Sequence, residues 1–340
     1  MMMSLQLLGI TVLWTFLYGY LIVASVDFGA GFFAYYGKIT KKDHVINHII
    51  SRYLSPVWEV TNVFFVFFFV GLIGFFPDTA YYYGTALLIP GSIALILLAL
   101  RGSFYAFGNY GAKKGNSFYL FLYGATGLLI PASLSTALTI SEGGFLEKKG
   151  DSVEFLAMKL FASPYSWSVV LLAIVSVLFI SASFLTYYAD RANDVDARNV
   201  LRKFALFWSI PCILASLLVF TALKGHNARH FSNALDIWWM FGLSFLCFLV
   251  ATIFIYRKKW FGWAFILVML QFFFAFFGYG ASHLPYILDP FITIHTAVTN
   301  DAMGTALVIA FIAGLFLLVP SLGLLMKLFL FDADYVRGKK

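Results

Sequence analysis

Apolar residues run along this chain in long, nearly uninterrupted blocks, with the polar residues gathered between them. Nine such blocks cover roughly 5–36, 55–76, 80–101, 117–140, 163–188, 204–223, 236–256, 261–282 and 302–328. Each can cross a hydrocarbon core of about 30 Å, which takes around twenty residues at a rise of about 1.5 Å. A transmembrane β-barrel would instead show alternating segments of about ten residues. The pattern predicts an all-α, polytopic membrane protein with nine transmembrane helices, and the short connections predict antiparallel neighbours packed as bundles. Two longer connections, 141–162 and 188–203, bracket the fifth block. They suggest a first four-helix group within 1–140, a separate fifth helix at 163–188 and a second four-helix group at 204–328, all in a single membrane domain over 1–340.

Composition agrees with the block pattern. Of 340 residues, 61% are hydrophobic and 11% charged, and the mean hydropathy is +0.88. A soluble domain carries about 45–50% apolar and about 25% charged residues. Charge here is too scarce to coat a soluble surface. The net charge of +7 is spread over short loops and does not point to nucleic acid. Assigning alternate loops to one side places 18 of the 23 Lys and Arg residues together, leaving Lys148, Lys149, Lys159, Lys224 and Arg229 opposite. Positive residues favour the cytoplasmic side, so the N-terminus is expected outside and the C-terminus inside. The start, MMMSLQLLGITVLW, lacks a basic n-region and a small-residue cleavage site and reads as a retained helix. Cys212 and Cys247 both fall inside apolar blocks and suggest neither a disulfide nor a metal site.

Only two of the sixteen acidic residues, Asp27 and Glu59, lie within the blocks. Asp27 is about nine residues, roughly 13 Å, from the cytoplasmic end of the first block, and Glu59 about four residues, roughly 6 Å, into the second. An ionised acid deep in a membrane helix costs about 2.5–3.5 kcal/mol on insertion scales, so such groups usually face a bundle interior or water. The two carboxyls look like successive steps of proton uptake from the cytoplasm. Alternatively, Glu59 pairs with Arg101 at the end of the third block, and Asp27 is protonated and bonded to a backbone carbonyl. Gly29 and Gly31 follow Asp27, and small residues let helices approach closely, so this face should meet protein.

All six histidines lie in or beside loops, His44 and His48 inside, His226, His230, His283 and His295 outside. A haem in the bilayer needs a ligand such as His, Met or Cys at depth, so no haem is expected on this chain. His44/His48 and His226/His230 have the i, i+4 spacing that can bind a metal on one helical face. No third ligand is evident, and they read as solvated loop histidines. The run VFFVFFFVGLIGFF at 63–76 reads as a lipid- or subunit-facing surface.

These residues resemble subunit II of the cytochrome bd-type quinol oxidases. VDFGAG at 26–31 is similar to the second half of that family's DGFDLGVG stretch. SPVWEVTNVFFV at 55–66 resembles its PxWDGNxVWL segment, with Pro56, Trp58, Glu59, Asn62 and Val63 in matching places. RGSFYAF at 101–107 is similar to RGxxFxFR, and LPYILDPFITIHTA at 284–297 to YPFxxPS…TxWDA. The chain departs from these patterns at Ala24, the first acid of DGFD, at Glu59 for Asp, at Phe64 for the second Trp of a region tied to dioxygen entry, and at Thr296 for the Asp of WDA. The resemblance implies a heterodimer in a bacterial or archaeal cytoplasmic membrane. In it, subunit I carries haem b, haem d, the quinol site and oxygen reduction, with small accessory subunits possible around the pair. This chain would have no catalytic or cofactor-binding residue of its own. It would supply membrane support and a cytoplasmic proton pathway through Asp27, Glu59 and Arg101, with Trp58, Asn62, Gly29 and Gly31 in supporting positions. Two other readings use the same acids, a proton-coupled transporter and a purely structural scaffold. The second half holds no intramembrane acid or base, which weighs against transport.

Overall fold

The computed structural model describes residues 5–41, 50, 61–110, 117–150, 152–296, 298–325 and 327. The helices are α1 (Leu5–Ile39), α2 (Thr61–Phe75), α3 (Thr79–Ala86), α4 (Leu88–Tyr110), α5 (Ser117–Ser141), α6 (Ala157–Ala162), α7 (Pro164–Arg191), α8 (Val195–His226), α9 (Ala228–Asp236), α10 (Trp238–Tyr256), α11 (Phe261–His283) and α12 (Asp301–Leu325). Among the described residues there are also two small antiparallel hairpins: β1 (Leu146–Lys149) with β2 (Ser152–Phe155), and β3 (Tyr286–Leu288) with β4 (Ile292–Thr293).

Seven of these helices, α1, α5, α7, α8, α10, α11 and α12, are long and apolar enough to cross a membrane. The third block becomes two helices, α3 and α4, bent by 74°. Proline explains the break. Pro90 has no N–H, and its ring collides with the carbonyl four residues earlier, which belongs to Ala86, the last residue of α3. The described part of the second block is the fifteen-residue α2.

Helices also extend into segments expected to be loops. The polar stretch 188–203 is mostly helical, with only 192–194 linking α7 to α8. Asp194 caps α8 by accepting from the Ala197 amide at 2.9 Å, and Arg198 pairs with Asp190 at 2.9 Å across the turn. Polarity had marked this stretch as a loop, but a capped helix end needs only polar faces. The connection after α5 is likewise structured, as the β1–β2 hairpin and α6.

The interior is built around α7, with 72% of its most apolar window buried, against 11% for α12. The helix packs against α1, α5, α8 and α11. Phe16, Phe33, Phe179 and Leu185 have no exposed surface and form part of the continuous core. The run 63–76 is not uniformly outward as its composition suggested. Val63, Val66, Val70 and Ile73 are exposed along one face, while Phe64, Leu72, Phe75 and Phe76 are buried. Helical spacing divides a sequence that is apolar all round into a covered and an uncovered face. Phe64 packs onto Gly19, where an added Cβ would lie 2.6 Å from its ring.

After α5 the chain turns through Gly143 and Gly144, at φ +84° and +80°. An added Cβ at Gly143 would lie 2.5 Å from the Asp289 carbonyl oxygen. Gly143→Ala should therefore lower stability by about 1–2 kcal/mol, combining left-handed strain with the collision. Thermal unfolding of the variant in detergent, read by circular dichroism, checks this.

Candidate functional site

Asp27 is buried in the middle of α1, and its charge is met directly. Arg101 Nε donates to Asp27 Oδ2 at 2.9 Å, and the Tyr123 hydroxyl donates to Oδ1 at 2.9 Å. Arg101 Nη2 donates to the Asp27 carbonyl at 2.7 Å, while Nη1 reaches the Tyr123 carbonyl at 2.8 Å and Thr126 Oγ1 at 3.3 Å. The guanidinium carbon lies 4.0 Å from the centroid of the Tyr123 ring, within range for cation–π attraction. Arg101 has no exposed surface. This corrects two expectations. Arg101 is not at a helix end, because α4 continues to Tyr110, and the Asp27 side chain meets the Arg101 and Tyr123 side chains rather than a backbone carbonyl. The carboxylate accepts bonds, and the backbone carbonyls accept from the arginine.

Glycines make the cluster reachable. A Cβ at Gly29 would lie 2.3 Å from Ser181 Cβ on α7, and one at Gly31 would lie 2.6 Å from the Tyr123 carbonyl on α5. From the α5 side, a Cβ at Gly127 would lie 2.2 Å from the Phe28 carbonyl. Three helices thus touch at backbone distance around Asp27, and Ser181 Oγ adds a 2.9 Å bond to the Val26 carbonyl. Glu59 and Trp58 lie outside the described residues. Asn62 sits in the first turn of α2 and is half-buried. Tyr123 was not singled out from the sequence, since one tyrosine among nineteen in an apolar block carries no distinguishing signal.

A second polar cluster lies where α5 and α11 end and α9 begins. Glu142, one residue past α5, is 4% exposed, and His230 and His283 are 1% and 8% exposed. Solvated loop histidines were expected here, so this is a correction. Each residue flanks an apolar block in sequence, but folding covers all three. His230 Nδ1 lies 2.8 Å from Glu142 Oε1, and His283 Nδ1 lies 3.5 Å from the same oxygen. The Tyr279 hydroxyl donates to Oε1, and Asn227 Nδ2 donates to Oε2 at 3.0 Å. Burial by itself raises the Glu142 carboxyl. The His230 hydrogen bond, the neighbouring His283 and His230, and the Tyr279 hydroxyl outweigh it and hold the carboxyl below its usual value. Next to this cluster, Asp289 pairs with Arg229 and accepts from Asn227 at 3.1 Å. His226, four residues before His230, does not join it. Its ring stacks between Phe145 and Tyr165, at centroid distances of 5.1 and 4.9 Å. Thr296, in place of the aspartate of the WDA pattern, closes a turn with Thr293 at 2.9 Å between hydroxyls.

Comparison with known proteins places this geometry in context. A family described as cytochrome bd terminal oxidase subunit II matches residues 5–329. A Bacillus subtilis (strain 168) protein described as a putative cytochrome bd menaquinol oxidase subunit II is 34% identical over 343 aligned positions, covering 98% of each chain. The solved structure of the bd oxidase from Geobacillus thermodenitrificans contains a chain that is 57% identical, with a TM-score of 0.85. That match covers 97% of this chain and 100% of the other. A nearly all-helical membrane chain with this extent of agreement belongs to the subunit II family of the cytochrome bd terminal oxidases.

Proposed function

We propose that this chain is the non-haem partner of a haem-bearing subunit I in a bacterial or archaeal cytoplasmic membrane. The complex oxidises a quinol and reduces dioxygen to water. Family agreement over residues 5–329 carries this reading, and leaves the transporter alternative without support. The described histidines 226, 230, 283 and 295 sit at or beyond helix ends, consistent with haem b and haem d residing in the partner, where axial ligands at depth would be supplied. The Bacillus subtilis relative is described as a menaquinol oxidase subunit, and menaquinol is the quinol we assign. The nine crossings rest on the nine apolar blocks, and the placing of the N-terminus outside and the C-terminus in the cytoplasm on the charge split.

Within the complex, Asp27, Glu59 and Arg101 form the cytoplasmic route by which protons enter for oxygen reduction. Its support is a carboxylate at depth, hydrogen-bonded to a hydroxyl that can pass a proton, and a second acid nearer the same end in sequence. A scaffold reading has its own observation: every nitrogen of Arg101 is engaged within the protein and none is exposed.

The test begins with the purified complex. Its optical spectrum should show haem bands that are absent from this chain expressed alone. Glu59→Gln should then slow quinol-driven oxygen consumption by on the order of tenfold, as expected when a positioned proton-transfer group is lost, with haem content unchanged. Unaltered turnover would remove Glu59 from the route.

A further inference from the structure

We propose that Glu142, His230 and His283 form a site for a divalent cation of the zinc class. The ion would bind at the end of the molecule where α5, α9 and α11 meet. Each residue offers one donor atom, and the three atoms lie within 4.8 Å of one another, all buried. Zinc bonds of about 2.0–2.1 Å to imidazole and about 2.0–2.2 Å to carboxylate separate tetrahedral ligands by roughly 3.3–3.5 Å. The 3.5 Å separation of His283 Nδ1 from Glu142 Oε1 matches that range, and the 2.8 Å separation of His230 Nδ1 would open by about half an ångström to admit the ion. Two histidines and one glutamate are a donor set that zinc accepts with a further position left for water.

His283 is the observation that points to a ligand. Its ring is buried and turned toward Glu142, yet among the described residues neither Nδ1 nor Nε2 makes a hydrogen bond. A buried imidazole with both nitrogens unsatisfied is costly, and a metal bond relieves it. His230 supplies the complementary feature. Its Nε2 faces Ser282 Oγ at 2.7 Å and the Tyr279 carbonyl at 3.2 Å. Ser282 directs its own proton to the Gly278 and Tyr279 carbonyls at 2.9 Å, so Nε2 is the donor. That turns Nδ1 toward a carboxylate oxygen 2.8 Å away, the pair of atoms a cation would bridge. Outer partners that fix a ligating histidine and carboxylate in this way are typical of metal centres. Here they are Ser282 and Tyr279 for His230, and Tyr279 and Asn227 for Glu142. Bound there, the ion ties together three helix ends and the turn that carries Gly143.

The assay uses the intact oxidase complex, stripped with a chelator, re-equilibrated with zinc and washed, then analysed for metal per haem. The wild-type complex should retain one more equivalent of zinc than His283→Leu. Because His283 makes no hydrogen bond among the described residues, that replacement breaks none and removes only its 3.5 Å electrostatic contact with Glu142. Glu142→Gln should show the same loss. Zinc-edge absorption of the wild-type complex should show two imidazoles and a short oxygen shell at about 2.0–2.2 Å. Equal zinc in wild type and His283→Leu, or none retained in wild type, overturns the site. Should the variants fail to assemble, a wild-type zinc spectrum without two imidazoles overturns it as well.

Discussion

Asp27→Asn should destabilise the folded chain by about 3–5 kcal/mol, the cost of removing one member of a buried ion pair. The amide keeps the shape of the carboxylate but takes away the charge that faces the Arg101 guanidinium at 2.9 Å. Thermal unfolding of the complex and the yield of assembled protein measure the loss. A double variant, Asp27→Asn with Arg101→Gln, separates structure from function. Removing both charges should restore much of the stability, since replacing a whole buried pair with neutral groups is often close to neutral. If oxygen consumption returns together with stability, the pair is a scaffold clamp. Recovered assembly with turnover still slow by on the order of tenfold or more identifies proton transfer.

Gly127→Ala should show the second large effect, at the upper end of the roughly 1–3 kcal/mol typical of overpacking. The new methyl would sit 2.2 Å from the Phe28 carbonyl oxygen and 3.4 Å from Arg101 Nη1. Its closest neighbour is backbone and cannot rotate away, so α1 and α5 must separate. That separation would pull Arg101 from the Tyr123 carbonyl. Gly84→Ala in α3 is the control, because among the described residues nothing lies within 4 Å of the added atom. It should be neutral or stabilise by up to about 1 kcal/mol through helix propensity. Comparing thermal midpoints of the two variants in the same detergent decides the matter. Equal midpoints would mean that α1 and α5 tolerate a wider spacing than their glycines indicate.

Much of the fold was legible in the chain. Continuous apolar blocks identify membrane-spanning helices because hydrocarbon leaves backbone polar groups no other partners, and that requirement acts on each segment separately. Asp27 stood out for the same local reason, as an acid in apolar surroundings. Other features required information that a segment does not contain. The 188–203 stretch looked like a loop because polarity marks solvent, whereas the capped ends of α7 and α8 are polar and helical. The run 63–76 looked uniform because composition does not say which face a neighbour covers.

The site residues divide along the same line. Sequence selected Asp27 as an acid within its block and Arg101 through the resemblance at the end of the third block, and noted the small residues Gly29 and Gly31. It did not pair Asp27 with Arg101 or bring in Tyr123, since those contacts join residues 74 and 96 positions apart. Glu142, His230 and His283 each flank an apolar block, and by position each reads as solvated. Only the packing of α5, α9 and α11 buries them together. The sequence by itself determined a helical membrane protein with a costly acid in its first helix, because hydrophobicity and burial cost act residue by residue. Which groups compensate that acid, and which surface residues become an enclosed cluster, only the tertiary structure decided, because both depend on helices far apart in the chain meeting at short range.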